Sequence, residues 1–138
     1  MNSAAIHVGR LLEVRADAGY KSAADVDAMF DIIDVELAKV ARGRQIVTVV
    51  DWRRCPVMEA AAATRMLEHM VGLNPRTERS AALVTAKAPV TILQCMRLIR
   101  ESRLADRRMF LNAPELITWI GEVLEPNEQQ RLREFLAA

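Results

Sequence analysis

Side chains of different chemistry crowd most closely in the run Asp51-Trp52-Arg53-Arg54-Cys55. It holds a carboxylate, an indole, two guanidinium groups and a thiol. Two adjacent arginines can grip a phosphate or a carboxylate in bidentate fashion. The run follows a β-branched segment and precedes a helix expected to open at Pro56, whose free N–H groups favour anions. In open α/β sheets, ligands gather at such carboxyl ends of strands. Lys87, after a later strand, could join Arg53 on an anion. Asp51, Trp52, Arg53, Arg54, Cys55 and Lys87 therefore form the possible ligand or partner surface. The plainer reading is favoured: Asp51 caps a turn, Trp52 packs at a rim, and Arg53, Arg54 and Lys87 are solvated.

Catalysis finds little support. Cys55 at a helix start would have its thiol pKa lowered by the helix dipole. A nucleophile also needs a base, and the only imidazoles are His7, near the amino terminus, and His69, expected on the polar side of a helix beside Glu68. Two Cys and two His at these spacings match no zinc pattern. The five glycines do not cluster, so there is no Gly-rich phosphate loop. No catalytic residue, cofactor or metal is assigned. The basic run Arg97, Arg100, Arg103, Arg107 and Arg108 reads as cations complementing the carboxyl end of a helix. Met29, Met66, Met70 and Met96 fall on helix stripes and read as adaptable core.

The elements that must position these residues alternate between periods of two and of three to four. Strands are expected at Arg10 to Ala16, Ile46 to Trp52, Ser80 to Ala86 and Arg108 to Leu111. The first alternates Leu12 and Val14 with Glu13 and Arg15, which suits a half-exposed strand near a sheet edge. The second is nearly continuous in β-branched residues, as a strand covered on both faces should be. A helix capped by Ser22 carries Val26, Met29, Phe30, Ile33, Leu37 and Val40 on one stripe and stops at Gly43. Pro56 opens a second helix. Pro89 opens a third, with Ile92, Cys95, Met96 and Ile99 inward. Asn112 caps a fourth. A short last helix begins near Pro126 and presents Leu132, Phe135 and Leu136. Strands separated by helices imply parallel pairing through crossovers. The expected fold is α/β: a small layered sheet, largely parallel, of four to five strands flanked by helices.

The whole chain, 138 residues, fits one domain, which should bury roughly two thirds of its unfolded surface. Nineteen Lys and Arg against eighteen Asp and Glu leave a net charge of +1, without the basic excess of a dedicated nucleic-acid binder. No run approaches the ~18 apolar residues of a membrane span. The amino terminus lacks the basic and apolar regions of a signal peptide, and the two cysteines read as reduced thiols. A cytoplasmic location is expected.

The half-exposed first strand runs into a Gly-Tyr turn, a later strand ends in Asp51-Trp52, and another reads Arg79-Ser80-Ala81-Ala82-Leu83-Val84. The last strand passes through Asn112 into a helix carrying Glu115, Leu116, Trp119 and Ile120. Over about residues 8 to 123 this resembles the SpoIIAA-like group of the STAS superfamily. The resemblance implies a single STAS-like domain over 1–138 with a regulatory or scaffolding role. Anti-sigma factor antagonists of that superfamily carry a phosphorylatable Ser or Thr after a central strand. Here Asp51 to Glu59 holds neither, and the nearest downstream hydroxyl is Thr64. The phospho-switch is therefore not transferred. The expected function is a non-enzymatic regulatory or protein-interaction module with a protein partner, and with homodimer pairing through Leu132, Phe135 and Leu136. The alternative is a carrier of a small ligand or lipid held between sheet and helices.

Overall fold

A computed structural model describes Met1–Ala138. The strands are β1 (Asn2–Ile6), β2 (Leu11–Ala16), β3 (Ile46–Asp51), β4 (Thr77–Leu83) and β5 (Arg107–Phe110). The helices are α1 (Ala23–Leu37), α2 (Ala60–Leu73), α3 (Pro89–Ser102), α4 (Ala113–Gly121) and α5 (Pro126–Ala137). One sheet runs in the order β1-β2-β3-β4-β5, with β1 antiparallel to β2 and every other pair parallel. The expected α/β class is the observed one. None of the helices is long and apolar enough to cross a membrane.

Strand order explains the layering. Four parallel strands laid down in sequence, each joined to the next by a right-handed crossover, send every crossover helix to the same face. So α1, α2 and α3 share one side, packed on Leu12, Val14, Ala16, Ala82 and Val84. The other side would be bare, and α4 and α5 cover it by packing on Leu11, Val47, Val49, Ala81 and Leu83. Because side chains alternate along a strand, both core faces come from the same few residues. Val47 and Val49 are fully buried in the central β3, as its β-branched run predicts.

Several expectations need correction. The first expected strand lies next to the edge, as expected, but it is buried rather than half exposed. It pairs on both sides, and β1, rich in Ser and Ala and unforeseen, takes the edge. Glu13 is buried nonetheless, because Arg131 of α5 grips its carboxylate at 2.7 and 2.8 Å. Helix α1 ends at Leu37, and Gly43 (φ +82°) instead serves the following turn, where Arg44 N–H bonds the Ala41 carbonyl. Helix α2 opens at Ala60 rather than Pro56, which leaves Arg53 to Glu59 as a loop. Met96 faces outward, about half exposed, while Thr91, Cys95, Leu98 and Ser102 are the buried positions of α3. The caps expected from sequence do form: Ser22 Oγ accepts from Asp25 N–H at 3.2 Å, and Asn112 Oδ1 from Glu115 N–H at 3.0 Å.

The apolar stripe of α5 is not a free surface. Leu132, Phe135 and Leu136 are buried against the chain's own sheet. The expected homodimer seam through these three side chains is thereby corrected. A helix of this length persists only by packing, and the nearest bare apolar face belonged to its own domain.

Candidate functional site

The Asp51 to Cys55 segment does lie at the carboxyl end of the central strand, but the charges of Asp51 and Arg53 turn toward the end of α5. Asp51 points to the α5 side and is buried. It accepts from Arg53 N–H at 3.1 Å, from Arg53 Nε at 3.0 Å and from Arg53 Nη2 at 2.9 Å, with Arg15 Nη1 at 3.4 Å. Burial alone would raise the Asp51 carboxyl. The hydrogen bonds from Arg53 outweigh it and hold the group below the usual carboxylate range. Arg53 Nη2 also donates to the Leu136 carbonyl at 3.1 Å, and Arg15 Nη2 to the Phe135 carbonyl at 2.6 Å. The two guanidinium groups thus complement the carboxyl end of α5. Only Arg54 and Lys87 of the expected surface are exposed, and Arg54 makes a long 3.8 Å pair with Asp17. Through Asp51, Arg53 and Arg15 the segment straps the carboxyl end of α5 to the sheet.

The thiols are buried, and burial pushes Cys55 up to about 11 and Cys95 up to about 12. Both therefore stay protonated at neutral pH, the opposite of what a nucleophile needs. His69 is engaged in a way its sequence neighbours do not reveal. Its Nε2 lies 2.7 Å from Asp27 Oδ1, and its ring stacks on Phe30 with centroids 4.1 Å apart. With Arg65, which bonds Asp27 at 2.6 Å, it ties α2 to α1.

What the structure adds is a cavity of about 70 Å³ between the sheet and α1, α2 and α3. Leu12, Val14, Thr48, Val50, Ser80 and Ala82 form its floor, and Met29, Phe30, Ile33, Met66, Met70 and Ile99 its roof. Fourteen of its eighteen lining residues are hydrophobic, so its few polar groups stand out.

Two buried donors mark its ends. Arg107 is level with Ser80, and Ser80 with Thr48, while Trp52 lies four residues further on, just past the end of β3. At ~3.3 Å per residue the two levels are about 13 Å apart. The Arg107 guanidinium, 7% exposed, donates only to neutral acceptors: Asn74 Oδ1 at 2.9 Å and the Met70 carbonyl at 3.4 Å. Burial brings its pKa down to about 10, with no acidic neighbour to offset it. At the other end the Trp52 indole N–H is buried without a hydrogen-bond acceptor. The Tyr20 phenol lies near enough to feel that indole but outside hydrogen-bond geometry, and burial pushes the phenol above its ordinary range.

Sequence reasoning placed Trp52 at a rim and Arg107 among cations at a helix end. Arg107 instead opens β5, because Arg103 (φ +59°) has already terminated α3. The available signal was the period of two in Arg107 to Phe110. Met109 packs against the cluster under α1 to α3, and Arg107, two residues earlier, must share that face. Arg108 falls on the opposite face, its guanidinium 4.6 Å from the Trp119 ring. Comparison with known proteins finds no family model, no curated protein and no solved structure that matches the chain.

Proposed function

We propose that this chain is a non-enzymatic regulatory domain of the cytoplasm that binds a small ligand between its sheet and its first three helices. The observation that carries the reading is the cavity, apolar in its walls and supplied with one buried cation and one unmatched indole N–H. A buried polar group left unpaired disfavours a fold by about 1–3 kcal/mol. A closely packed core would have filled this space with methyl groups. Protonated, buried thiols and an imidazole already paired to Asp27 support binding over bond-making chemistry. The resemblance to SpoIIAA-like STAS domains belongs to the same proposal, with ligand occupancy in place of the missing phosphorylated hydroxyl. Native mass spectrometry of the protein purified from its own cells tests it. A stoichiometric small molecule released on denaturation is the expected result. Uniformly empty protein that also stays unchanged on adding small amphiphiles would refute it.

A second reading, contact with a protein partner, is favoured by the outer face of α3. Val90, Leu93 and Met96 are 62%, 66% and 49% exposed, at a spacing of three. Arg97 and Arg100 flank them. Leu93→Glu should abolish partner capture without changing Tm, and a captured partner indifferent to that change would remove the face from consideration.

A further inference from the structure

Resting on the cavity reading above, we propose that the ligand is a short-chain monocarboxylate, its carboxylate held by Arg107 and its hydrocarbon body lying along the strands toward Trp52. Arg107 presents a planar fork that matches a carboxylate in two parallel hydrogen bonds. A guanidinium offers five N–H donors, and here only two protein acceptors meet it, both neutral. One buried cation in an otherwise uncharged lining neutralises one negative charge, which favours a monoanion over a phosphate dianion. Beyond Thr48 and Ser80, which stand level with it, the path from Arg107 runs over Val50, Ala82 and Met66, which suits hydrocarbon, until it reaches Tyr20 and Trp52. A cavity of about 150 Å³ holds benzene, and this one measures about 70 Å³. In proportion the space takes a body of roughly three carbons as it stands, and one of up to about six only if the flexible Met66 and Met70 side chains yield.

Calorimetric titration of the intact protein with hexanoate, 1-hexanol and inorganic phosphate tests the assignment. Hexanoate should bind at one site, at least tenfold more tightly than either other probe. Trp52 emission should report the occupancy in a Trp119→Phe background, since Trp119 lies on the opposite face of the sheet. Arg107→Met should lose at least tenfold in hexanoate affinity and leave 1-hexanol binding unchanged. It should also keep or raise the Tm of the empty protein, because it removes a buried charge that lacks an anion. A merely structural Arg107 would show a lowered Tm and no selective loss of hexanoate. Equal binding of hexanoate and 1-hexanol overturns the carboxylate assignment while leaving the cavity as a ligand site. Binding of neither overturns both, and the space then holds water only. The wild-type comparison stands even if Arg107→Met fails to fold. Arg107→Lys then supplies the variant: it keeps the charge without the fork and should bind hexanoate less well, so wild-type affinity would also overturn the assignment.

Discussion

Replacing Asp51 with Asn decides whether the most reactive-looking segment of the chain serves the fold or a ligand. In the folded protein the carboxylate accepts three hydrogen bonds from Arg53 and faces Arg15 at 3.4 Å. A hydrogen bond to a charged group contributes about 1.5–3 kcal/mol. Arg53 is a third exposed and the Arg15 contact is long, so solvent screening reduces the total. Asn also keeps one acceptor. A loss of about 2 kcal/mol at pH 7 is expected, which for a chain of this size lowers Tm by roughly 8 °C. The pH dependence has a definite sign. A carboxyl depressed in the folded state contributes its stability above the unfolded pKa of about 3.9, and that stability fades as pH falls through the folded value. The gap between wild type and Asp51→Asn should therefore be full at pH 7 and shrink steadily below about pH 4. Urea unfolding at pH 7, 5, 4 and 3 measures it. If Asp51 only restrained two arginines meant for an anion, the variant would free them and 10 mM phosphate (roughly, a saturating dose for a Kd near 1 mM) would raise its Tm above that of the wild type. That result, or a gap independent of pH, would refute the strap.

Three further outcomes follow from the packing. Leu132→Ala should destabilise by about 3 kcal/mol in urea, equally at low and high protein concentration, since Leu132 is fully buried in its own domain; a loss that vanishes on dilution would restore the dimer seam. Gly9→Ala should cost at least about 1 kcal/mol, because Gly9 sits at φ +56° and a Cβ there would strike the Glu128 carboxylate that caps Arg10 N–H at 2.8 Å; an unchanged melting curve would show that the β1–β2 turn adjusts freely. Cys55 and Cys95 should resist a thiol-specific disulfide reagent at pH 8 and react at once in denaturant, given their burial and raised pKa; rapid stoichiometric reaction of the folded protein would disprove their inertness.

The elements were legible wherever local physics decides them. The β-branched run of β3, the Ser22 and Asn112 caps and the proline starts of α3 and α5 depend on a few neighbouring residues, and all appear in the structure. From alternating strands and helices alone, the parallel sheet could be inferred. Sequence could not tell which charges would be buried. Glu13 reads as the polar side of a half-exposed strand until Arg131, far along the chain, arrives to pair with it. Asp51 and Arg53 read as a turn cap and a solvated cation, or else as a ligand grip, until the last turn of α5 places carbonyls above them. Arg107 reads as one cation in a surface run until β5 docks beside β4 and turns it beneath α2 and α3. In each case the residue type is local, but its partner is set by long-range packing. A side chain's desolvation, and so its chemistry, depends on what the rest of the chain lays over it. The cavity exists only between elements, as the volume that three helices leave unfilled over one face of a sheet.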